Sequence, residues 1–87
     1  MSPVTSAEDF GALVRERRRE QGLSQAQVAK KVGVSRQWIV EVEGGKQRAE
    51  VGLLLRLLNA LDLVMRVEAR PDDPLFDLVH APRGPRE

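Results

Sequence analysis

Between Gly22 and Lys46 the chain reads Gly-Leu-Ser-Gln-Ala-Gln-Val-Ala-Lys-Lys-Val-Gly-Val-Ser-Arg-Gln-Trp-Ile-Val-Glu-Val-Glu-Gly-Gly-Lys, and this run restricts the fold more than any other part of the sequence. Ser24 is a good helix N-cap, because a short hydroxyl side chain accepts from a backbone N–H that would otherwise lack a partner. Val28, Ala29 and Val32 then make one apolar stripe, and Gly33 ends it as a left-handed cap. Ser35 caps the next helix only two residues later, with Ile39 and Val42 facing inward and Gly44-Gly45 terminating it. The link between the two helices is therefore a tight turn. Short helices crossing at about 90–120° need a small residue at the crossing, a left-handed turn residue and apolar residues aimed into the angle. Ala29, Gly33 and the set Val34, Ile39 and Val42 supply these.

The flanks divide the chain into four parts. Residues 1–6 include Pro3, lack periodicity and read as a loose arm, and residues 7–62 hold the helices. The first helix starts at Ala7, capped through either Thr5 with Glu8 or Ser6 with Asp9, and buries Phe10, Leu13, Val14 and the stem of Arg17 before Gly22 closes it. A fourth helix is expected over about residues 49–61, with Leu54, Leu57, Leu58 and Leu61 on its buried side. Leu53 and Leu55 make it apolar on a second face, which calls for cover from the same fold or from a partner subunit. In residues 63–70 the period changes to two: Leu63, Met65, Val67 and Ala69 fall on one face, Val64, Arg66, Glu68 and Arg70 on the other. A lone strand after four helices has nothing in its own chain to pair with, so its simplest partner is the same strand of a second subunit, antiparallel across a two-fold axis. Residues 71–87 read as a flexible tail carrying one apolar cluster, Leu75, Phe76, Leu78 and Val79.

Composition narrows the function classes. With 87 residues there is room for one core, and without cysteine there is neither a disulfide framework nor a thiolate zinc site. No apolar run approaches the length of about 20 residues that spans a bilayer, and Met1-Ser2-Pro3-Val4 lacks the basic and apolar regions of a signal peptide. A cytoplasmic protein is expected. The net charge is only +1, but residues 15–48 carry nine Lys or Arg against four acids, while residues 1–14 and 71–87 are each net −2. A basic middle between acidic ends suits a phosphate-facing surface, the other reading being ordinary solvated helix faces. The single histidine, His80, sits in the Pro-rich tail far from any cluster of acids or nucleophiles, and no glycine-rich phosphate loop follows a strand. No catalytic residue, metal site, cofactor or small-molecule substrate is expected, and the protein reads as no enzyme.

Residues 8–62, with Leu-Ser-Gln at one helix start, Ala29 and Gly33, Val-Ser-Arg-Gln at the next and Glu-Gly-Gly-Lys after it, resemble the helix-turn-helix of the phage-repressor/Cro family, also called Xre. The resemblance implies a mainly α, four- to five-helix domain whose second motif helix lies in the major groove of double-stranded DNA. Carried over residue by residue, Arg36 and Gln37 lead as base readers, since Arg grips guanine O6 and N7 and Gln grips adenine N6 and N7. Val40 and Glu41 follow one turn on, Glu41 either accepting from cytosine N4 or repelling phosphate. Backbone contacts are implied for Gln25, Gly44, Gly45, Lys46 and Arg48. Ser24 reads as a cap or a phosphate contact. Trp38 reads as packing on the sugar-phosphate wall or a thymine methyl, or as partly buried against a neighbouring helix or subunit. Arg18 and Glu43 match positions that form a partly buried ion pair in the family, tying the first helix to the end of the third.

The domain followed by a period-two strand and a short tail also resembles the HipB-type antitoxins. That resemblance implies a homodimer paired through its C-terminal strands, an inverted-repeat operator and a HipA-type kinase toxin as partner. A free-standing regulator is the alternative, and a protein-interaction module that has lost DNA binding is the second, against which Arg36, Gln37, Lys46 and Arg48 speak. The apolar cluster of the tail is read as docking on a partner protein, folding back on the dimer, or neither.

Overall fold

The computed structural model describes residues 3–70, which form four helices: α1 (Ala7–Glu20), α2 (Gln25–Val32), α3 (Arg36–Glu43) and α4 (Val51–Ala60). Each of the first three begins where a serine can serve its N-terminus. Of the two caps open for α1, Ser6 is the one that forms: its Oγ accepts from Asp9 N at 3.0 Å, and the Asp9 carboxylate accepts in return from Thr5 N at 3.2 Å. Ser24 goes further than a simple cap, since its Oγ accepts from Gln27 N while its own N–H donates to Gln27 Oε1 at 2.7 Å. Ser35 accepts from Trp38 N at 3.1 Å. Helix α4 starts at Val51 rather than Ala49, behind Glu50, whose side chain makes no capping bond.

All four helices end alike, with a left-handed residue followed by an N–H that reaches back five residues. The turn between α2 and α3 uses Gly33 at φ +85°, so that Val34 N donates to Ala29 O at 3.0 Å and the chain reverses within two residues. After α3 it is Gly45, at φ +96°, that takes this conformation, while Gly44 stays at φ −88°. After α4 the position falls to Asp62 at φ +56°, one of the few side chains that tolerate it; Leu63 N closes that end on Leu58 O at 2.8 Å.

α2 packs against both α3 and α4, and α1 lies across α3. Their shared core is Val14, Val28, Ala29, Val32, Ile39, Val42, Leu57 and Leu61, with Phe10, Leu23, Val34, Trp38, Leu54, Ala60 and Leu63 packed around it. These are largely the stripes that the sequence periods predict; Leu13, expected on the buried side of α1, is half-buried and lies outside this cluster. Arginine and glutamine side chains then join the helix ends: Arg17 Nε and Gln21 Nε2 both donate to Leu61 O, at 2.9 and 3.1 Å, and Arg56 donates to Val32 O at 3.2 Å. Arg17 thus contributes a bond to the end of α4 as well as its stem. Gly11 marks the closest approach of α1 to α3, since a Cβ there would meet the carbonyl of Val42 and come within 2.7 Å of Glu43 O.

The C-terminal segment differs from its expected form. Among the described residues none is in a strand, and residues 63–70 run without a hydrogen-bonded ladder, because the single chain offers them no second strand. Leu63 packs on the core, Ala69 is half-buried, but Met65 and Val67 are 47% and 87% exposed. Val64 is 80% exposed, and α4 leaves Val51 and Leu55 at 65% and 41%. The fifth helix allowed for does not occur among the described residues, and the apolar cluster Leu75, Phe76, Leu78 and Val79 lies outside them. No helix among the described residues is long and apolar enough to cross a membrane.

Candidate nucleic-acid interface

Helix α3 is divided by its own period. Ile39, Val42 and Glu43 are buried, whereas Arg36, Gln37 and Glu41 are exposed and Val40 is half-buried at the edge. The exposed side begins at the N-terminus, where the Ser35 cap leaves Arg36 as the first helical residue. Trp38 is half-buried against the core cluster. At the other end of α3, Lys46 Nζ donates to Glu41 Oε1 at 3.2 Å. The Lys46 ammonium bond first, then the Gln37 amide and the Lys46 charge, hold the Glu41 carboxyl below its ordinary range. Arg48 is exposed in the loop beyond.

Behind α3 lies a buried ion pair. Arg18 Nε donates to Glu43 Oε2 at 2.6 Å and a second guanidinium nitrogen to Glu43 Oε1 at 2.9 Å, with a third bond to Leu23 O at 2.9 Å. The Glu43 side chain is 1% exposed. Such a pair is a weak source of net stability, but removing one partner leaves a buried charge alone. Burial is the largest influence on the Glu43 carboxyl and pushes its pKa up. The bonds from Arg18 and Gln25 and the charges of Arg18 and Arg15 outweigh that, so the carboxyl titrates below the ordinary glutamate range. The same bond to Glu43, opposed by burial, raises the Arg18 pKa further above its already high value.

Two more side chains reach this carboxylate. Gln25, the first residue of α2, donates from Nε2 to Glu43 Oε1 at 3.2 Å, and Arg15 Nε lies 3.6 Å from the same oxygen. Gln25 in turn accepts, through Oε1, from Arg36 at 3.3 Å. The result is an open cavity of about 410 Å³ lined by Arg15, Arg18, Arg19, Ser24, Gln25, Ala26, Arg36 and Glu43. Four guanidinium groups face one carboxylate there, so the cavity is strongly cationic. Its chemistry suits an anionic oxygen next to the N-terminus of α2.

The structure therefore brings together Ser24, Gln25, Arg36, Arg18 and Glu43, and places Gln37, Glu41 and Lys46 further along α3 and its end. Arg15 and Arg19 were not singled out from sequence. Their signal was available in the i, i+4 and i+8 spacing of Gly11, Arg15 and Arg19, which puts both arginines on the face of α1 that meets α3.

The model of a family described as a helix-turn-helix domain matches residues 9–71. The chain belongs to the Xre/Cro-like helix-turn-helix family. It is 41% identical over 58 residues to an uncharacterized HTH-type transcriptional regulator, y4mF, of Sinorhizobium fredii, covering 67% of this chain and 76% of that one. Among solved structures it is similar to the restriction-modification controller protein C.AhdI of Aeromonas hydrophila, with 34% identity, a TM-score of 0.63, and 67% and 88% of the two chains covered. The fold also matches that of a HipA-HipB-O2-O3 complex at TM-score 0.70 and 21% identity, over 77% of this chain and 94% of the other.

Proposed function

We propose that this helix-turn-helix protein is a sequence-specific DNA-binding transcriptional regulator that lays α3 in the major groove, two copies together reading an inverted repeat. The observation that carries the reading is the division of α3: Arg36 and Gln37 stand exposed on its first turn, while Ile39, Val42 and Glu43 fix its other side to the core. Arg36 reads guanine and Gln37 adenine, with Val40 and Glu41 one turn on. Phosphates are held by Gln25, the amides around Gly44 and Gly45, Lys46 and Arg48, and, on the α1 side, by Arg15 and Arg19. Ser24 serves as the cap of α2, both of its bonds being made within the chain. The exposed Met65 and Val67, with Leu63 and Ala69, form the pairing strand once a second copy supplies the ladder.

A selection from random duplexes tests this. The protein is expected to enrich an inverted repeat with half-sites about one helical turn, 10 bp, or a multiple apart. Truncation after Asp62 is expected to give a monomer that loses the two-fold site. Recovery of no preferred sequence would overturn the reading, and a truncated chain that still sediments as a dimer would remove the strand from it.

The finer reading is an antitoxin of a HipA/HipB-like pair, regulating its own operon and binding a kinase toxin in the cell interior. It is supported by the fold shared with HipB over nearly all of that chain. The second reading, a free-standing regulator, is favoured by the higher identity to y4mF and to C.AhdI. Co-expression with a neighbouring kinase-like gene separates them: an antitoxin relieves the growth defect and co-purifies, and a free-standing regulator does neither.

A further inference from the structure

Residues 64–70 leave the domain with their hydrogen-bonding edge bounded at both ends. Leu63 N donates to Leu58 O at 2.8 Å, and before it Asp62 is left-handed, at φ +56°, with its N–H on Asn59 O at 3.1 Å. At the other end Pro71 has no N–H at all. A ladder with a second copy can therefore draw donors only from residues 64–70, and the midpoint of that block is Val67. One face of the block is charged: Arg66, Glu68 and Arg70 are exposed, and neither Arg66 nor Glu68 has an ion-pair partner among the described residues. In an antiparallel pair, residues directly opposite share a face, so two copies keep their apolar faces together only when odd positions meet odd and even meet even. Centring the pair on Arg66 sets two like charges against each other and matches Arg70 with Asp62, whose backbone is not extended. Centring on Met65 sets Glu68 opposite Asp62, like charges at that same left-handed residue. Centring on Glu68 opposes two carboxylates and matches Arg66 with Arg70. Centring on Val67 alone sets Arg66 of each copy opposite Glu68 of the other, twice by symmetry, and it matches Leu63 with Pro71, neither of which has a donor to offer.

We propose that Arg66 and Glu68 specify the register of the dimer and select a second copy of this chain as the partner: residues 64–70 pair about Val67, with Arg66 of each copy meeting Glu68 of the other. This rests on the strand pairing proposed above, and it names what fixes the alignment of that pairing. A slip of two residues leaves every apolar side chain on its own face, so the apolar pattern permits several registers and the charges choose among them. Each such slip moves one copy along the other by about 7 Å. The register therefore sets the distance between the two α3 helices, and with it the spacing of the half-sites that they read.

The chain has no cysteine, so a single introduced thiol can bond only to its own mate in the second copy. In a two-fold antiparallel pair only the central residue lies opposite itself, within the Cα separation of about 4.4–6.8 Å that a disulfide spans. In the full chain under mild oxidation, Val67→Cys is expected to cross-link roughly tenfold faster than Met65→Cys, Arg66→Cys or Glu68→Cys, whose thiols lie beyond that reach of their mates. Faster cross-linking at any of those three, or none at all in a chain that sediments as a dimer, overturns the register. Charge reversal gives an independent reading. Arg66→Glu and Glu68→Arg should each weaken the homodimer by roughly tenfold, two attractive pairs having become repulsive ones, while an equimolar mixture of the two variants should form a heterodimer as tight as the parent. Arg66→Glu mixed with the parent should associate more weakly than the parent alone; tighter association would mean that Arg66 faces Arg66, and would overturn the proposal. Failure of the pairing strand itself is told apart beforehand, because the chain truncated after Asp62 then still sediments as a dimer.

Discussion

The stretch from α4 to residue 70 is the more apolar in sequence, yet it is the pair α2 and α3 that buries its apolar stripes. In α2 and α3 each N-terminus is closed by a bonded serine, each stripe is buried, and the charged residue at the end of α3 meets Arg18, Arg15 and Gln25. From α4 onward the N-terminus has no side-chain cap, and Val51, Leu55, Val64, Met65 and Val67 stand exposed. The first region is complete within one chain. The second leaves large apolar side chains uncovered among the described residues.

The largest expected effect tests the completeness of the first region. Glu43→Ala strands the buried Arg18 guanidinium and should lower stability by about 3–5 kcal/mol in urea unfolding. Val51→Ala, measured at protein concentrations low enough to keep the chain monomeric, should stay within about 0.5 kcal/mol. Equal losses would erase the contrast.

The same carboxylate gives a pH signature. Its folded pKa lies below the ordinary glutamate value, so its contribution is complete above that value and disappears as pH falls through the folded one. Acid titration of stability should therefore be steeper in the parent than in Glu43→Gln, and parallel curves would show that Glu43 carries no such linkage.

On DNA, Arg36→Ala should cost about 1–3 kcal/mol on the enriched site and relax one base position. Lys46→Ala should instead weaken every sequence and reduce the salt slope by about one unit. Sequence-dependent loss from Lys46→Ala would move it from the backbone set to the base set. Ser35→Ala removes one cap bond at the start of α3 and should cost about 1 kcal/mol by thermal unfolding.

Much of this was readable in the residues because it depends on near neighbours. A serine cap acts over three residues, Gly33 acts at its own φ, and the stripes of Val28, Ala29, Val32, Ile39 and Val42 follow helical spacing. The Arg18 and Glu43 pair became legible only through likeness to a family, since its partners are 25 residues apart. What stayed hidden has the same cause. The joint use of Glu43 by Arg15 and Gln25, and the donation of Arg17 and Gln21 to Leu61 O, depend on how α1 crosses the other helices, which no local pattern encodes. The strand expected over residues 63–70 does not form among the described residues, where no second strand lies beside it.

Gly11 gives the arrangement a mechanical property. Because α1 meets the last turn of α3 through backbone atoms, with no room even for a methyl group, the spacing of the two helices is set by peptide geometry and not by side chains that can hop between rotamers. Compliant packing lets a helix slide or roll under load; a backbone seat does not. Helix α3 is consequently clamped against α1 like a blade in a vice.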